Sequence, residues 1–222
     1  MPKPAPVSRN YEARDREAVR KICCDTGFIG TPIDPVFEDR ELFADYLTSY
    51  YTDKEPEACF VVEQEGEVKG YLLGSCKPEK QKRYDTFNNI RLFLKGISRY
   101  PSYSKATRSY IKWILFQSWK EVPPAPKCRS HFHFNLLPEV QSVKGTRDLL
   151  NHFFNFLRTV GESEVFGQVV TFENRRGTRI LERYGFKVLE KKEITKYREV
   201  YDKPVYLTTV LKDLNDERFK YL

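Results

Sequence analysis

Residues 131–147 contain the side chains and the turn in this chain best suited to chemistry. His131 and His133 lie two residues apart in an apolar run that predicts a buried strand, so both point to one face of it. Phe132 and Phe134 then point to the other face. A histidine with an ordinary pKa near 6.5 can serve as a general base. The alternative for each histidine is a structural imidazole bonded to a neighbouring carbonyl.

The turn after this strand has the composition of an anion site. The strand is predicted to end at Pro138, and an amphipathic helix begins at about Gly145. Unpaired N–H groups and the helix dipole make such a helix start attractive to phosphate. Lys144 and Arg147 add positive charge, although ordinary surface charge at a helix end also accounts for these two side chains.

Several sequence patterns together resemble the GNAT superfamily of N-acetyltransferases. LPEVQ at 137–141 matches the start of the superfamily's pyrophosphate signature, which is Gln/Arg-x-x-Gly-x-Gly/Ala after a strand ending near Pro-Glu. Asn174, Gly177 and the pair Gly185-Phe186 follow in the order of a second superfamily pattern. Four stretches resemble the acetyltransferase-like domain at the end of some O-GlcNAc hydrolases and its stand-alone bacterial relatives: RDREAVRKICCDTG, EDRELFADYLTSYY, EPEACFVVEQEGEVKGYLLG and HFHFNLLPEVQ. The resemblance covers nearly the whole chain.

This resemblance implies a three-layer α/β/α fold of the GNAT type, with a mixed central sheet, a helical insert and a cleft between two parallel strands that binds acetyl-CoA. The implied reaction is acetyl transfer to a primary amine of a small molecule or peptide by direct attack. His133 is the expected base and Tyr184 the expected acid. The residues expected to contact acetyl-CoA are Leu136, Leu137, Gln141, Ser142, Val143, Lys144, Gly145, Thr146, Arg147 and Asn174.

The sequence departs from the superfamily pattern at two places. The two small residues of the signature fall on Lys144 and Thr146, where Gly145 could take over the tight turn. The tyrosine that often acts as acid is replaced by Leu181, and Tyr184 lies three residues further on. The alternative prediction is therefore a catalytically degenerate module that binds acetyl-CoA or a partner without turnover.

The order of predicted elements positions these residues in one domain spanning residues 1–222. A tail covers residues 1–7 and a basic helical insert covers residues 76–128. The remaining order is strand, two helices, hairpin, insert, strand, helix, strand, helix and two strands. A strand–helix–strand–helix unit within a mixed order predicts a three-layer α/β domain whose central strands are parallel.

Charge is concentrated in the insert. Residues 76–127 hold twelve Lys or Arg against three Asp or Glu, a local net charge of +9 in a chain of net charge +7. We expect this excess to disfavour a polybasic peptide and to allow an anionic or neutral small molecule; a solvated helical face is the alternative. Trp113 and Trp119 lie among these cations, but their helical spacing favours core packing, and we predict no nucleic acid partner.

Composition excludes other classes. With 222 residues, 40% of them hydrophobic, the chain is globular. It has no apolar run near the roughly 18 residues that a membrane span needs, and no signal peptide is visible. Five cysteines without a CxxC pair predict free thiols in the cytoplasm, and Cys23 is expected to be a buried structural thiol. We expect no metal, and the sequence leaves the oligomeric state open.

Overall fold

The computed structural model describes residues 4–127, 130–173 and 176–216, which form a seven-stranded sheet with helices on both faces. The strands are β1 Val7–Asn10, β2 Cys59–Gln64, β3 Glu67–Ser75, β4 Ser130–Leu136, β5 Glu164–Thr171, β6 Lys187–Glu193 and β7 Tyr206–Asp213. The described helices are α1 Arg16–Asp25, α2 Arg40–Lys54, α3 Pro78–Arg99, α4 Lys105–Phe116, α5 Ser118–Glu121, α6 Val143–Thr159 and α7 Arg176–Arg183. The predicted three-layer α/β/α architecture is confirmed.

The strand order is β1-β2-β3-β4-β5-β7-β6, and β4 and β5 are its one parallel pair within the described residues. The two strands are paired at Ser130 with Val165, at His131 with Phe166 and at Phe132 with Gly167. Beyond these three pairs, β4 continues beside β3 alone and β5 continues beside β7 alone. The carboxyl-terminal halves of β4 and β5 therefore separate and leave a gap in the middle of the sheet.

Local sequence signals explain where the elements turn. Glu65 and Gly66 join β2 to β3 with positive φ values of 56° and 80°, the geometry of a tight two-residue hairpin. Gly185 follows α7 with φ 79°, as expected of a glycine at a helix C-terminus. Ser142 caps α6, which starts two residues before the predicted Gly145. The helix and strand predictions are thus confirmed with small shifts at their ends.

Two hydrophobic clusters fill the spaces on either side of the sheet. Helices α1 and α2 cover one face, where Val19, Ile22 and Cys23 are among the buried side chains. Helix α6 covers the other face, where Leu149 and Phe153 are fully buried. The predicted burial of Cys23 is confirmed, and the four described cysteines are free thiols. None of the described helices is both long and apolar enough to cross a membrane.

The insert contributes less to the core than its periodicity suggested. In α3 the one apolar side chain that is buried is Leu92, and the others are exposed: Phe87, Ile90, Phe93, Leu94 and Ile97. The core-packing interpretation is confirmed for Trp113 and wrong for Trp119, which is 73% exposed. Trp119 lies in the short helix α5 beyond the end of α4, where no neighbouring helix covers it within the described residues.

A buried carboxylate connects α2 to the end of β3. Glu55 is 1% exposed, and its oxygens accept hydrogen bonds from Tyr50 Oη (2.8 Å), Ser75 Oγ (2.8 Å) and the Cys76 N–H (2.7 Å). A charge held away from water is tolerated when its lone pairs are satisfied in this way. Glu55 thereby fixes the segment that leads from the sheet into α3.

We expect Glu55→Gln to lower the free energy of unfolding by about 1–3 kcal/mol. One carboxylate oxygen that accepts hydrogen bonds is replaced by an amide NH₂ group, which would face groups that themselves donate. Chemical denaturation measures this change. Glu57→Gln is the matched control, since Glu57 is a half-exposed carboxylate two residues away that pairs with Lys77, and it should cost under about 1 kcal/mol. Equal losses in the two variants would contradict the role given to Glu55.

Candidate active site

The gap between β4 and β5 exposes backbone groups of β4. The Leu137 N–H donates to the Lys69 carbonyl on the β3 side at 2.9 Å. Successive N–H groups of a strand point to opposite neighbours, so the N–H groups of Leu136 and Phe134 point into the gap. The Leu137 carbonyl accepts from the Val140 N–H at 3.0 Å, so both of its backbone groups are engaged. Of the two predicted leucines, Leu136 is the one with a donor facing the gap.

Helix α6 begins immediately beyond the end of this gap. Ser142 Oγ accepts the Gly145 N–H at 3.0 Å, and the Ser142 carbonyl accepts the Thr146 N–H at 3.0 Å. By helix geometry the N–H groups of Val143 and Lys144 have no acceptor within the helix and point outward from its N-terminus. This end of α6 therefore offers two backbone donors and the positive end of the helix dipole.

Gly145 does not take a tight turn. It is buried in the first turn of α6 and is absent from the described residues with positive φ. A Cβ at this position would lie 3.1 Å from Ser142 Oγ and 3.2 Å from the Val140 carbonyl oxygen. The suggestion that Gly145 compensates for Lys144 and Thr146 by a special backbone conformation is wrong. Its small size is needed for close packing against the cap.

The side chains around the turn differ in what they can contact. Lys144 is exposed, and Arg147 is 43% exposed with its Nε 3.9 Å from Asp148 Oδ1. Gln141 Nε2 donates to the Leu136 carbonyl at 3.5 Å, at the limit of hydrogen bonding. These residues fit a phosphate-bearing ligand, because two cations flank the helix start. Asn174 lies outside the described residues, and the Val143 side chain is likewise not described.

On the α2 side of the sheet, the predicted histidines belong to a chain of polar contacts. His131 Nε2 lies 3.0 Å from Tyr51 Oη, which also accepts from Gln81 Nε2 at 3.4 Å. His133 packs with its ring centroid 5.3 Å from that of Tyr51 and 5.5 Å from that of Tyr71. The prediction that both histidines share one face, opposite Phe132, is confirmed.

His133 is the unsatisfied member of this group. Its Nε2 is buried and has no hydrogen-bond partner among the described residues. Burial lowers the pKa of both imidazoles to about 4, and in His133 the neighbouring His131 adds to the effect. At neutral pH both rings are therefore uncharged, and the ordinary pKa near 6.5 expected from the sequence does not hold for either histidine. A buried polar atom without a partner is uncommon, and a catalytic role is one explanation for it.

Tyr184 lies on the opposite side of the sheet from His133. It follows α7, packs against the cluster under α6, and its carbonyl accepts from Lys212 Nζ at 2.8 Å. Burial raises the pKa of its phenol, and the charge of Arg147 opposes that rise. The structure thus brings Tyr184 close to Arg147 in the first turns of α6, and His133 close to Tyr51 of α2. Leu181, at the superfamily's usual acid position, packs against the same cluster.

Sequence reasoning missed Tyr51, Gln81 and Tyr71, which surround the two histidines. Tyr51 ends the apolar face of α2, Gln81 starts the basic helix α3, and Tyr71 is a fully buried strand residue. None of them stands in a recognisable motif, so the sequence carries no local signal of their meeting. Within the described residues, no group of three or more His, Cys, Asp or Glu is arranged to hold a metal ion.

Comparison with known proteins gives the fold class. No family model and no curated protein matches the chain. Among solved structures, SsHAT is 26% identical over 96% of this chain and 100% of its own, with a TM-score of 0.69. The yncA protein of Salmonella typhimurium with its cofactor acetyl-CoA is 15% identical over 96% of both chains, with a TM-score of 0.56. A polyamine N-acetyltransferase of Drosophila melanogaster is 13% identical over 94% of this chain and 99% of its own, with a TM-score of 0.55.

The chain has the fold of the GNAT N-acetyltransferases. The likeness to these structures extends over 94–96% of the chain, with TM-scores of 0.55 to 0.69. The fold that the resemblance implied from the sequence is confirmed. The comparison with O-GlcNAc hydrolases stays a prediction.

The depressed histidine pKa values predict a pH-dependent stability. Between pH 6.5 and about 4 the unfolded chain binds protons at His131 and His133 that the folded protein does not, so the free energy of unfolding falls as the pH is lowered. Each imidazole contributes a slope of at most about 1.4 kcal/mol per pH unit. We expect His133→Gln to reduce the slope measured by denaturation at several pH values.

His152→Gln is the control for this measurement, because its imidazole is exposed, with Nδ1 2.9 Å from Ser8 Oγ at the edge of the sheet. That variant should keep the slope of the unmodified protein. A slope that is unchanged in His133→Gln would show that His133 is protonated as readily in the folded chain as in the unfolded one.

Proposed function

We propose that the protein is an acetyl-CoA-dependent N-acetyltransferase that acts on a primary amine of a small molecule or peptide. The observation that carries the proposal is the gap between β4 and β5, which ends at the N-terminus of α6. The fold shared with SsHAT and with N-acetyltransferases of known structure supports it. The complex of yncA with acetyl-CoA supports the choice of acyl donor.

The start of α6 would hold the phosphates of acetyl-CoA. Ser142 engages the Gly145 N–H, so the contacts fall to the N–H groups of Val143 and Lys144 and to the Arg147 side chain. Both kinds of contact favour negative charge, the first through the helix dipole and the second through a formal charge. The phosphate turn is thereby assembled without the glycines of the superfamily signature.

Acetyl-CoA supplies an acetyl group activated as a thioester. The new bond joins the amine nitrogen to the acetyl carbon, and the carbon–sulfur bond breaks. The Leu136 N–H, which points into the gap, stabilises the negative charge that develops on the acetyl oxygen. His133 Nε2, uncharged and unpartnered, accepts the proton that the amine loses. Tyr184 is the proposed proton donor to the thiolate, because it lies on the α6 side where the donor's phosphates are held.

A degenerate module that binds acetyl-CoA without turnover is the second candidate. The Gly145 N–H, a donor at the helix start, is already bonded to Ser142 Oγ. Tyr184 is packed against the apolar cluster under α6, three residues after the usual acid position. Release of free thiol from acetyl-CoA with a panel of amines separates the two candidates. Amine-dependent release supports the enzyme, and binding of acetyl-CoA without release supports the module.

A cytoplasmic location is part of the proposal. Cys23, Cys24, Cys59 and Cys76 are buried free thiols, and burial raises the pKa of each. Thiols kept protonated and away from solvent are poor nucleophiles, so they serve as packing groups. Free thiols of this kind are typical of a reducing compartment.

Replacing the proposed base should lower the rate of acetyl transfer. We expect His133→Ala to reduce the rate by about 10²–10⁴-fold, the usual range for loss of general-base catalysis. In the unmodified protein the rate should fall as the pH drops to about 4, where the His133 imidazole becomes protonated. In His133→Ala this fall should flatten. Tyr184→Phe should cause a smaller loss while acetyl-CoA still binds.

His152→Ala is the control, because this exposed histidine lies on α6, away from His133. Melting temperatures of all three variants identify losses that come from unfolding. An unchanged rate per folded molecule of His133→Ala would assign His133 a structural role and leave the proposed base wrong.

Crowding at the phosphate turn should weaken acetyl-CoA binding. Gly145→Val places new atoms against Ser142 Oγ and the Val140 carbonyl, so the first turn of α6 must shift. We expect calorimetry to show a loss of about 1–3 kcal/mol in binding free energy, because acetyl-CoA must then bind to a first turn that overpacking has displaced at a cost of that size. Gly96→Val is the matched control, a helical glycine in α3 whose Cβ would meet only Leu42 Cδ2 at 3.8 Å. Equal dissociation constants in both variants would contradict this placement of the phosphates.

A further inference from the structure

Helix α3 carries most of its exposed apolar side chains in a single stripe. The stripe advances along the helix in steps of three, four and three residues, which is the spacing of a coiled-coil seam: Phe87, Ile90, Leu94 and Ile97. Each of these side chains is more than half exposed, so no other element of the described chain covers them. A seam of this kind is the part of a helix that normally packs against another helix.

The opposite face of α3 attaches the helix to the domain. Leu92 is buried there. Lys95 lies 2.7 Å from Glu41 in α2, and Arg99 lies 2.9 Å from Asp39, the residue that caps α2. Because this face is held against α2, the stripe points away from the domain and cannot turn inward to be covered.

The stripe is large enough for a specific interface. Phe93 flanks it and is 50% exposed, so five apolar side chains contribute to the same surface. Together they offer roughly 600 Å² on each molecule, and a symmetric pair would bury roughly 1,200 Å², the lower end of the range for specific protein–protein interfaces. A contiguous apolar patch of this size marks an interaction site on a protein surface.

The stripe is also complementary to itself. Its steps of three, four and three residues are the same when they are read from either end of the helix. Two copies of α3 that pack antiparallel around a twofold axis therefore place Phe87 of one molecule against Ile97 of the other, and Ile90 against Leu94. A twofold pair uses one patch on both molecules, and here that patch fits its own copy residue by residue.

The charges along α3 favour the antiparallel arrangement. Arg83 is exposed and precedes the stripe near the N-terminus of α3, where a cation is unfavourable beside the helix dipole. In the antiparallel pair it would lie beyond Ile97 of the second copy, at the negative C-terminal end of that helix; in a parallel pair the two Arg83 side chains would meet. At the centre Arg91 would approach its own copy, and Asp45, 3.6 Å away, offsets that charge.

We propose that the protein is a homodimer in which the apolar stripes of two α3 helices pack antiparallel around a twofold axis. The opposed helix dipoles and the matched apolar layers both stabilise this arrangement. The inference does not depend on the proposed function, because no residue of the stripe is among those proposed to bind acetyl-CoA or the amine.

Sedimentation equilibrium over a range of protein concentrations tests the dimer. We expect the unmodified protein to have twice the monomer mass at micromolar concentrations, and the double variant Ile90→Glu with Leu94→Glu to raise the dissociation constant about 100-fold or more. Both positions are exposed, so the monomer should stay folded, which its melting temperature checks. Val160→Glu is the control, an exposed apolar residue at the end of α6 whose replacement should leave the dimer intact.

A pair of opposite charges tests the antiparallel direction. Ile90→Lys and Leu94→Glu should each be monomeric alone, and a mixture of the two should form a heterodimer, because the antiparallel pair opposes position 90 of one molecule to position 94 of the other. A mixture that stays monomeric would overturn this arrangement.

Two further results would overturn the dimer itself. One is an unmodified protein that remains monomeric at about 100 µM, or a dimer that survives in the folded double glutamate variant. The other is binding of a monomeric unmodified protein to vesicles that contain phosphatidylserine, which would assign the stripe to a membrane surface.

Discussion

The separation of β4 from β5 is the constraint on which the site depends. Each strand follows its antiparallel partner, β4 beside β3 and β5 beside β7, and among the described residues only three pairs connect the two halves of the sheet. The last pair is Phe132 with Gly167, where a Cβ on the glycine would lie 3.2 Å from the phenylalanine ring. The ring therefore packs over the junction, and the strands diverge immediately beyond it.

This geometry divides the proposed chemistry between the two faces of the sheet. The face under α6 presents the helix start, Arg147 and Tyr184, which suit an anionic donor and its leaving group. The face under α2 presents His133 and Tyr51. An acceptor and a donor that enter from opposite faces can meet only through the gap, beside the N–H of Leu136.

The sequence predicted most of the fold because its signals are local. Alternating or periodic apolar residues, the hairpin turn at Glu65 and Gly66, and the helix stop at Gly185 each act within a few residues. The shared face of His131 and His133 followed from strand geometry alone. The start of α6 was placed two residues late, because the Ser142 cap was not recognised in the sequence.

The acceptor side could not be predicted in the same way. Tyr51 and His131 are 80 residues apart in the chain, and their contact depends on how α2 packs on the sheet. Arg91, Lys95 and Arg99 of the insert pair with acidic residues that lie 46 to 60 residues earlier, and no local pattern of the sequence shows these pairs. The apolar side chains of α3 were expected to be buried and are mostly exposed. Helical periodicity shows which side chains share a face of a helix, but it does not show whether another element covers that face.

A titration of acetyl-CoA followed by amide NMR shifts tests most directly whether acetyl-CoA binds in the gap. We expect saturable shifts at micromolar concentrations that cluster at residues 133–137 of β4 and its end, 168–171 of β5 and 142–147 of α6. Amides of α3 beyond residue 90 should not move. Absence of shifts at millimolar acetyl-CoA, or shifts centred elsewhere on the protein, would contradict the assignment of the gap as the acetyl-CoA site.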